Sequence, residues 1–276
     1  MAVIRVNQVM CKVPIVLFFD DGYREDLTIA EILKAYNIKA TFAITVKNIG
    51  KELNRYDLQV LARTGEIASH GLLHINLAKL AKINTALVYR ELKYSKTILE
   101  GLINQAIETF VYPYGSYNGI LKKLVAKVGY KAARTLDILA FTPGNDFYAI
   151  PITMADSVPN IKQVLRSFHL ISSHISNLTT LVLYYKYLIE YNPFRLMQIT
   201  NVLKIMYHLL KTITSKCHSN LSVLLSVLLV FHSRNLVHRT LNAFRSIIDY
   251  IHENETFKPM TFSEYIKLIQ QTKGGD

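Results

Sequence analysis

Metal-binding and acid–base side chains follow four short apolar segments of this 276-residue sequence. Asp20 and Asp21 follow PIVLFF, His70 follows EIAS, Tyr114 follows FVYP and His232 follows SVLLVF. In parallel α/β sheets and barrels the carboxyl ends of the strands form the floor of the active site. The pattern therefore predicts that these side chains converge at one rim of a sheet.

The paired carboxylates Asp20 and Asp21 have two interpretations. Adjacent carboxylates repel each other, so a buried strand end accommodates them only beside a cation or another positive partner. Their side chains point in different directions, so one can bind a metal while the other faces a substrate. The alternative is a solvated turn, because Asp-Gly is a common turn dipeptide. The pair alone leaves both interpretations open.

The histidines of the segment SHGLLH strengthen the metal interpretation. His70 and His74 are four residues apart, a spacing that on a helical turn brings both imidazoles to one side, where they can share a divalent ion. Two histidines and one aspartate leave coordination positions for water and substrate. Together with Asp21 they predict a metal site. His232 is either a core residue or, at the same rim, a proton donor to a leaving group.

The composition excludes several classes of protein. A hydrophobic content of 50% and a charged content of 19% exclude a disordered chain. Two cysteines, Cys11 and Cys217, exclude a disulfide scaffold and a CxxC site. The formal net charge is +12, but the basic residues are scattered, so no nucleic-acid partner is expected. The longest apolar run, 221–231, is shorter than the roughly 20 residues of a membrane helix. With no transmembrane segment or secretory signal recognised, we expect a cytoplasmic protein.

Strand-like and helix-like segments alternate over the first 155 residues. This alternation predicts a parallel sheet, either open or closed as a barrel. A region from about 160 to 218 is rich in Leu, Ile, Tyr and Ser and predicts two or three helices. The strands are predicted at 14–19, 40–46, 66–69, 109–112, 131–135 and 221–231, and the other helices at 25–36, 57–63, 85–102, 121–128, 240–252 and 261–272, the last with an N-terminal cap in TFSE.

The four motifs, in this order, resemble those of the polysaccharide deacetylase family, the NodB-like carbohydrate esterases. FFDDG resembles TFDDG, SHGLLH resembles H-(S/T)-x-x-H, VYPYG resembles R-x-P-Y-G, and LLVFH resembles L-x-L-x-H. The resemblance covers roughly 13–155 and 220–270. It implies an α/β fold, a distorted seven-stranded (β/α) barrel forming one domain over 1–276, with an extra helical insertion at about 160–218.

The resemblance also implies a reaction, the metal-dependent hydrolysis of an N-acetyl, or less often O-acetyl, group on a sugar polymer or glycan precursor. Asp21, His70 and His74 would bind the metal, zinc or another divalent ion. Asp20 would be the general base, and His232 would protonate the departing amine. The backbone N–H of Tyr114, in the turn with Pro113 and Gly115, would stabilise the oxyanion, while Leu228 and Val230 would shape the pocket for the acetyl methyl group.

The sequence departs from the family pattern at three places. Gly71 stands where the family has Ser or Thr, so a hydroxyl that could orient a ligand is missing. Val111 stands where an Arg normally pairs with the catalytic Asp, and Arg134 is our candidate to replace it. The chain has no Trp, so the Asp-Trp motif is matched only by a weak echo, NDF at 145–147. These departures keep open the alternative of a catalytically decayed glycan-binding protein. A second alternative, a related hydrolase of small non-peptide amides, stays open because no residues in the sequence specify a sugar subsite.

Overall fold

A computed structural model describes residues 13–137, 145–155, 226–253, 255 and 257–273 of the chain. The helical insertion predicted at about 160–218 lies outside the described residues, and so do Cys11 and Cys217. The first five residues of the strand predicted at 221–231 also lie outside them.

The described strands form one sheet in which every pairing is parallel. Their order is β5-β4-β3-β2-β1-β7-β6, and β8 pairs with the amino-terminal part of β1. The strands are β1 (Val13–Asp21), β2 (Thr41–Ile44), β3 (Glu66–Ser69), β4 (Thr109–Val111), β5 (Ala132–Arg134), β6 (Met154–Ala155), β7 (Val227–Phe231) and β8 (Phe257–Pro259). The predicted parallel sheet is confirmed. Sequence reasoning missed β6 and β8, which are too short to show a period.

Segment 145–155, which includes β6, lies between β5 and β7 and contacts both strands. On one side, Ile150 bridges to Arg134 of β5, and its N–H donates to the carbonyl of Ala133. On the other side, β6 pairs with β7, and the N–H of Thr153 donates to the carbonyl of Leu228. Seven strands therefore follow one another along the curled sheet, and the predicted (β/α)-barrel architecture is confirmed.

The helices cover the sheet and begin at clear capping signals. Asn54, Asn84 and Asn118 each accept a hydrogen bond from the backbone N–H three residues further on, which satisfies one of the free donors of a first turn. The predicted cap at Thr261 is confirmed as a reciprocal pair with Glu264. The helices are α1 (Asp26–Ala35), α2 (Arg55–Thr64), α3 (Leu77–Ala81), α4 (Thr85–Ile103), α5 (Gly119–Val128), α6 (Leu241–Glu253) and α7 (Phe262–Lys273).

The two faces of the sheet bury separate apolar clusters. Alternate residues of β1 divide between them: Phe19 lies in the outer cluster under the helices, and Phe18 lies in the inner cluster. Helix α7 packs into the inner cluster, where the Phe262 ring meets Phe18 edge-on with centroids 5.1 Å apart. Because the N–H of Phe262 also donates a hydrogen bond to Thr41 Oγ1, α7 is fixed at the amino-terminal ends of the strands. That end is therefore filled by protein.

Candidate active site

The carboxyl ends of four strands carry the predicted metal-binding and acid–base residues. Strand β1 ends in Asp20 and Asp21, β3 is followed by His70, β4 is followed by the turn Pro113–Gly115, and β7 is followed by His232. Because the strands are parallel, these ends lie at one edge of the sheet, opposite α7.

Asp21, His70 and His74 converge at this edge. Asp21 Oδ1 lies 3.5 Å from His70 Nε2 and 3.2 Å from His74 Nε2, and the three potential ligand atoms lie within 4.8 Å of one another. His70 Nδ1 is 2.8 Å from the carbonyl oxygen of Val111. A carbonyl can only accept, so Nδ1 carries the hydrogen and Nε2 presents its lone pair toward the other two donors. The set fits a divalent ion.

Burial favours the neutral, metal-binding form of both histidines. It lowers the pKa of the His70 imidazole to about 4, although the carboxylates of Asp20 and Asp21 oppose the shift. Burial also lowers the pKa of His74. Because a metal binds the neutral imidazole, His70 does not need to release a proton at neutral pH before it can act as a ligand.

The predicted helical turn between the two histidines is wrong. Residues 70–76 form an irregular loop, in which Gly71 has a φ of 81° and His74 a φ of 54°. The imidazoles still meet, with ring centroids 4.8 Å apart. They do so because the left-handed backbone at Gly71 and His74 turns the loop back on itself. A helical turn would require negative φ at both positions.

Asp20 forms a buried ion pair with Arg134. Arg134 Nη2 lies 2.6 Å from Asp20 Oδ2, and the two residues are 1% and 3% exposed. The guanidinium also lies over the Phe18 ring, 4.8 Å from its centroid. The other carboxylate oxygen, Oδ1, is buried and has no hydrogen-bond partner among the described residues. Asp20 is therefore anchored through one oxygen and leaves the other available.

The turn after β4 places its own groups beside His74. Tyr114 adopts a left-handed conformation (φ 59°), its ring packs edge-on to the His74 imidazole at 4.6 Å, and its hydroxyl donates to the carbonyl of His74. Among the described residues, no group accepts a hydrogen bond from the Tyr114 backbone N–H. Pro113 is buried, and Gly115 lies against Leu136 at the end of β5.

Leu228 and Val230 both lie on β7 in the inner cluster, and Val230 is the one nearer the carboxyl edge. His232 follows one residue after the end of β7, is partly exposed and begins the short helical turn Ser233–Asn235. Asp146, in the segment NDF that weakly matches the Asp-Trp motif, forms an ion pair with Lys122 of α5.

Three of the five non-glycine residues with left-handed backbone in the described chain are Asp21, His74 and Tyr114. The other two, Asn37 and Asn104, follow helices, where Asn commonly adopts this conformation. Backbone strain that is not part of a helix end is thus concentrated at the predicted site, as expected where the fold holds functional groups in place.

A family model described as "Polysaccharide deacetylase" matches residues 8–133, which include β1 to β4 and both histidines. This segment, a little under half of the chain, is similar to the polysaccharide deacetylases. Poly-β-1,6-N-acetyl-D-glucosamine N-deacetylase from Staphylococcus aureus (strain MSSA476) is 31% identical over 151 residues, which cover 48% of this chain and 51% of that protein. The protein of the same name from strain MRSA252 is 30% identical over 151 residues, which cover the same fractions of the two chains. The chain thus spans about half the length of the curated relatives it matches.

Solved structures extend the likeness of fold to nearly the whole chain. A Mycobacterium smegmatis protein named for the polysaccharide deacetylases superposes with a TM-score of 0.60 at 14% identity, covering 95% of this chain and 92% of that one. The Xyl-CE4 domain of a xylanase from the hindgut metagenome of Trinervitermes trinervoides gives a TM-score of 0.54 at 15% identity, covering 96% and 93%. At these identities the likeness concerns the fold.

The polysaccharide deacetylase motif on β4 lacks its Arg in this chain, and the neighbouring strand carries one instead. Val111 and Arg134 are register partners of β4 and β5, so their side chains leave the sheet on the same face. That face is the inner one, since Val111 belongs to the inner cluster. The guanidinium therefore reaches Asp20 from one strand further along the sheet.

Sequence reasoning missed Glu91, whose carboxylate contacts the loop between the two histidines. Helix α4 buries Val88, Leu92, Ser95 and Leu99 along one stripe, and Glu91 lies in the same stripe. A charged residue inside an otherwise buried helical stripe is the signal that could have found it.

None of the helices in the described part of the chain combines the length and the apolarity needed to span a bilayer.

Proposed function

We propose that this protein is a metal-dependent hydrolase that removes N-acetyl groups from a glycan. The observation that carries the proposal is the convergence of Asp21, His70 and His74 beside the buried, cation-paired carboxylate of Asp20. The Staphylococcus aureus relatives, which are named for N-deacetylation of poly-β-1,6-N-acetyl-D-glucosamine, support an N-acetylated amino sugar as the substrate.

Asp21 would hold the metal through a carboxylate oxygen, and the two histidines would hold it through Nε2. One oxygen and two nitrogen donors with open positions are typical of catalytic zinc, which is our proposed ion. When bound, such an ion polarises the amide carbonyl and makes a water molecule more acidic.

Asp20 is the proposed general base. Arg134 holds Oδ2, so Oδ1 is the oxygen that takes a proton from the attacking water. Loss of this proton lets the water oxygen form its bond to the carbonyl carbon of the acetyl group. The ion pair places a cation beside this buried carboxylate, which offsets part of the cost of burying it.

The turn after β4 and the residue after β7 complete the proposed reaction. The N–H of Tyr114 donates a hydrogen bond to the carbonyl oxygen as it gains negative charge. His232, as an imidazolium, gives a proton to the amide nitrogen as the C–N bond breaks. The products are acetate and the free amine of the sugar. Leu228 and Val230 bound the space for the methyl group.

The proposal is tested by measuring acetate release from β-1,6-linked N-acetylglucosamine oligomers, chito-oligosaccharides and simple acetamides, before and after chelation. We expect release from a glycan that stops on chelation and returns with Zn²⁺. Asp21→Asn and His74→Ala should lower bound metal and activity together by at least about 10-fold. Metal binding without acetate release from any substrate would instead favour a glycan-binding protein, and release from acetamides alone would favour an amide hydrolase.

A further inference from the structure

We propose that Glu91 positions the two histidine ligands by holding the backbone of the loop between them, a role that rests on the metal site of the proposed function. Glu91 Oε1 accepts hydrogen bonds from the N–H of Leu72 at 3.0 Å and of Leu73 at 2.7 Å. The side chain is buried at 7% exposure on α4, so one oxygen of a rigid helix fixes two successive amides.

The loop needs such an anchor because its backbone is not self-supporting. Left-handed conformations at Gly71 and His74 remove the regular hydrogen bonding that a helical turn would provide. Two adjacent N–H groups that point at one carboxylate oxygen form a small concave site for negative charge, which Glu91 fills from within the protein.

Other contacts hold carbonyl groups of the loop, whereas Glu91 holds the N–H groups of Leu72 and Leu73. The carbonyls of Gly71 and Leu72 accept from the N–H groups of Val46 and Lys47. His70 is fixed independently through its ring, by the bond from Nδ1 to the carbonyl of Val111. Among the described residues, the imidazole of His74 makes no comparable bond to the backbone of a strand.

Apart from the contacts that Tyr114 makes with its ring and its carbonyl, the position of His74 therefore depends on the path of the loop. Its backbone lies directly after Leu73, the residue that makes the shorter of the two bonds to Glu91. Losing that bond would let the loop move away from Asp21, whose Oδ1 is 3.2 Å from His74 Nε2. Metal affinity, more than global stability, is thus the property that Glu91 should control.

The test is calorimetric titration of Zn²⁺ into metal-free protein, with the Co²⁺ absorption spectrum as a second readout of ligand geometry. Glu91→Ala removes both bonds, and Glu91→Asp keeps the charge but shortens the reach. We expect both to weaken binding by about 10- to 100-fold, as is usual for groups that orient metal ligands. Glu91→Gln keeps an oxygen at the same position and should bind Zn²⁺ like the wild type.

Glu100→Ala is the matched control, because Glu100 lies on the same helix and its Oε1 accepts from the backbone N–H of Ile107 at 3.0 Å, away from the site. It should cost comparable stability and leave Zn²⁺ affinity and the Co²⁺ spectrum unchanged. Wild-type affinity in Glu91→Asp, or an equal loss in Glu91→Gln or Glu100→Ala, would overturn the positioning role. The proposed function fails separately, if the wild type binds Zn²⁺ and releases no acetate.

Discussion

At the scale of single residues, the ion pair between Asp20 and Arg134 matters most for the chemistry. A buried carboxylate without a cation would favour its neutral form, which cannot act as a base. Arg134 is held in place by the Phe18 ring on one side and by Asp20 on the other. Its position one strand away from Val111 indicates that the cation itself, rather than the strand that carries it, is what the carboxylate requires.

Arg134→Ala tests this requirement. We expect kcat to fall at least 100-fold, because the base loses its partner, while folded protein keeps its bound metal. The free energy of unfolding should fall by about 3–5 kcal/mol, the usual cost of leaving a buried charge unpaired. The double variant Val111→Arg/Arg134→Val, which moves the guanidinium to the register partner, should recover part of both losses. Wild-type kcat in Arg134→Ala would remove Arg134 from the mechanism.

At the scale of elements, the strands could be predicted from the sequence, whereas the conformation of the loops at the carboxyl edge could not. Strands β1, β3, β4 and β7 follow from their apolar runs, and so does the edge at which the site lies. The loop from His70 to His74 was predicted as a helical turn, because sequence spacing cannot distinguish a helix from left-handed backbone that gives the same proximity. Arg134 could be named from the sequence because it lies near the end of a predicted strand. The helical period of α4 marks Glu91 as a charge in a buried stripe, but it does not show which distant loop that charge contacts.

Gly115→Ala tests whether the turn after β4 must keep its shape. A Cβ at Gly115 would lie 2.4 Å from Leu136 Cβ and 2.7 Å from its backbone nitrogen, at a φ of +62°. The turn must therefore move, and Tyr114 with it. We expect the free energy of unfolding to fall by about 1–3 kcal/mol and kcat to fall by about 100-fold, since displacements near 1 Å have that effect.

Gly65→Ala provides the control for a clash remote from the site. A Cβ at Gly65 would lie 2.2 Å from the carbonyl oxygen of Ala40, at the amino-terminal end of β3. It should destabilise the protein and leave kcat per folded molecule unchanged. If both variants lose kcat equally, the turn at Gly115 has no special part in catalysis.

At the scale of the whole molecule, the barrel is filled at one end and charged at the other. Helix α7 closes the amino-terminal end, so the carboxyl edge is where substrate reaches the proposed site. That edge gathers three carboxylates close in sequence: Asp20, Asp21 and Asp26. Within the described residues only Asp20 of the three has an arginine partner, and Asp26 is fully buried without a cationic partner, close to the Ser233 hydroxyl.

Asp26 should make the metal-free protein less stable as the pH rises. Burial raises its pKa well above the ordinary value of 3.8; the Ser233 hydroxyl opposes the shift, and the charges of Asp20, Asp21 and Glu25 add to it. The location in the first turn of α1 favours the ionised form by only about 0.3–1 kcal/mol, so burial dominates. Between the unfolded and folded pKa values the native state alone holds the proton, and each pH unit there costs about 1.4 kcal/mol of stability.

Asp26→Asn removes this titration. We expect the variant to gain stability relative to the wild type between pH 5 and pH 8, measured by urea unfolding of metal-free protein at both values. Asp57→Asn, in the exposed first turn of α2, is the matched control and should change stability by a similar amount at both pH values. A constant difference between Asp26→Asn and the wild type across this range would mean that Asp26 is ionised in the native state, with a cationic partner at the carboxyl edge.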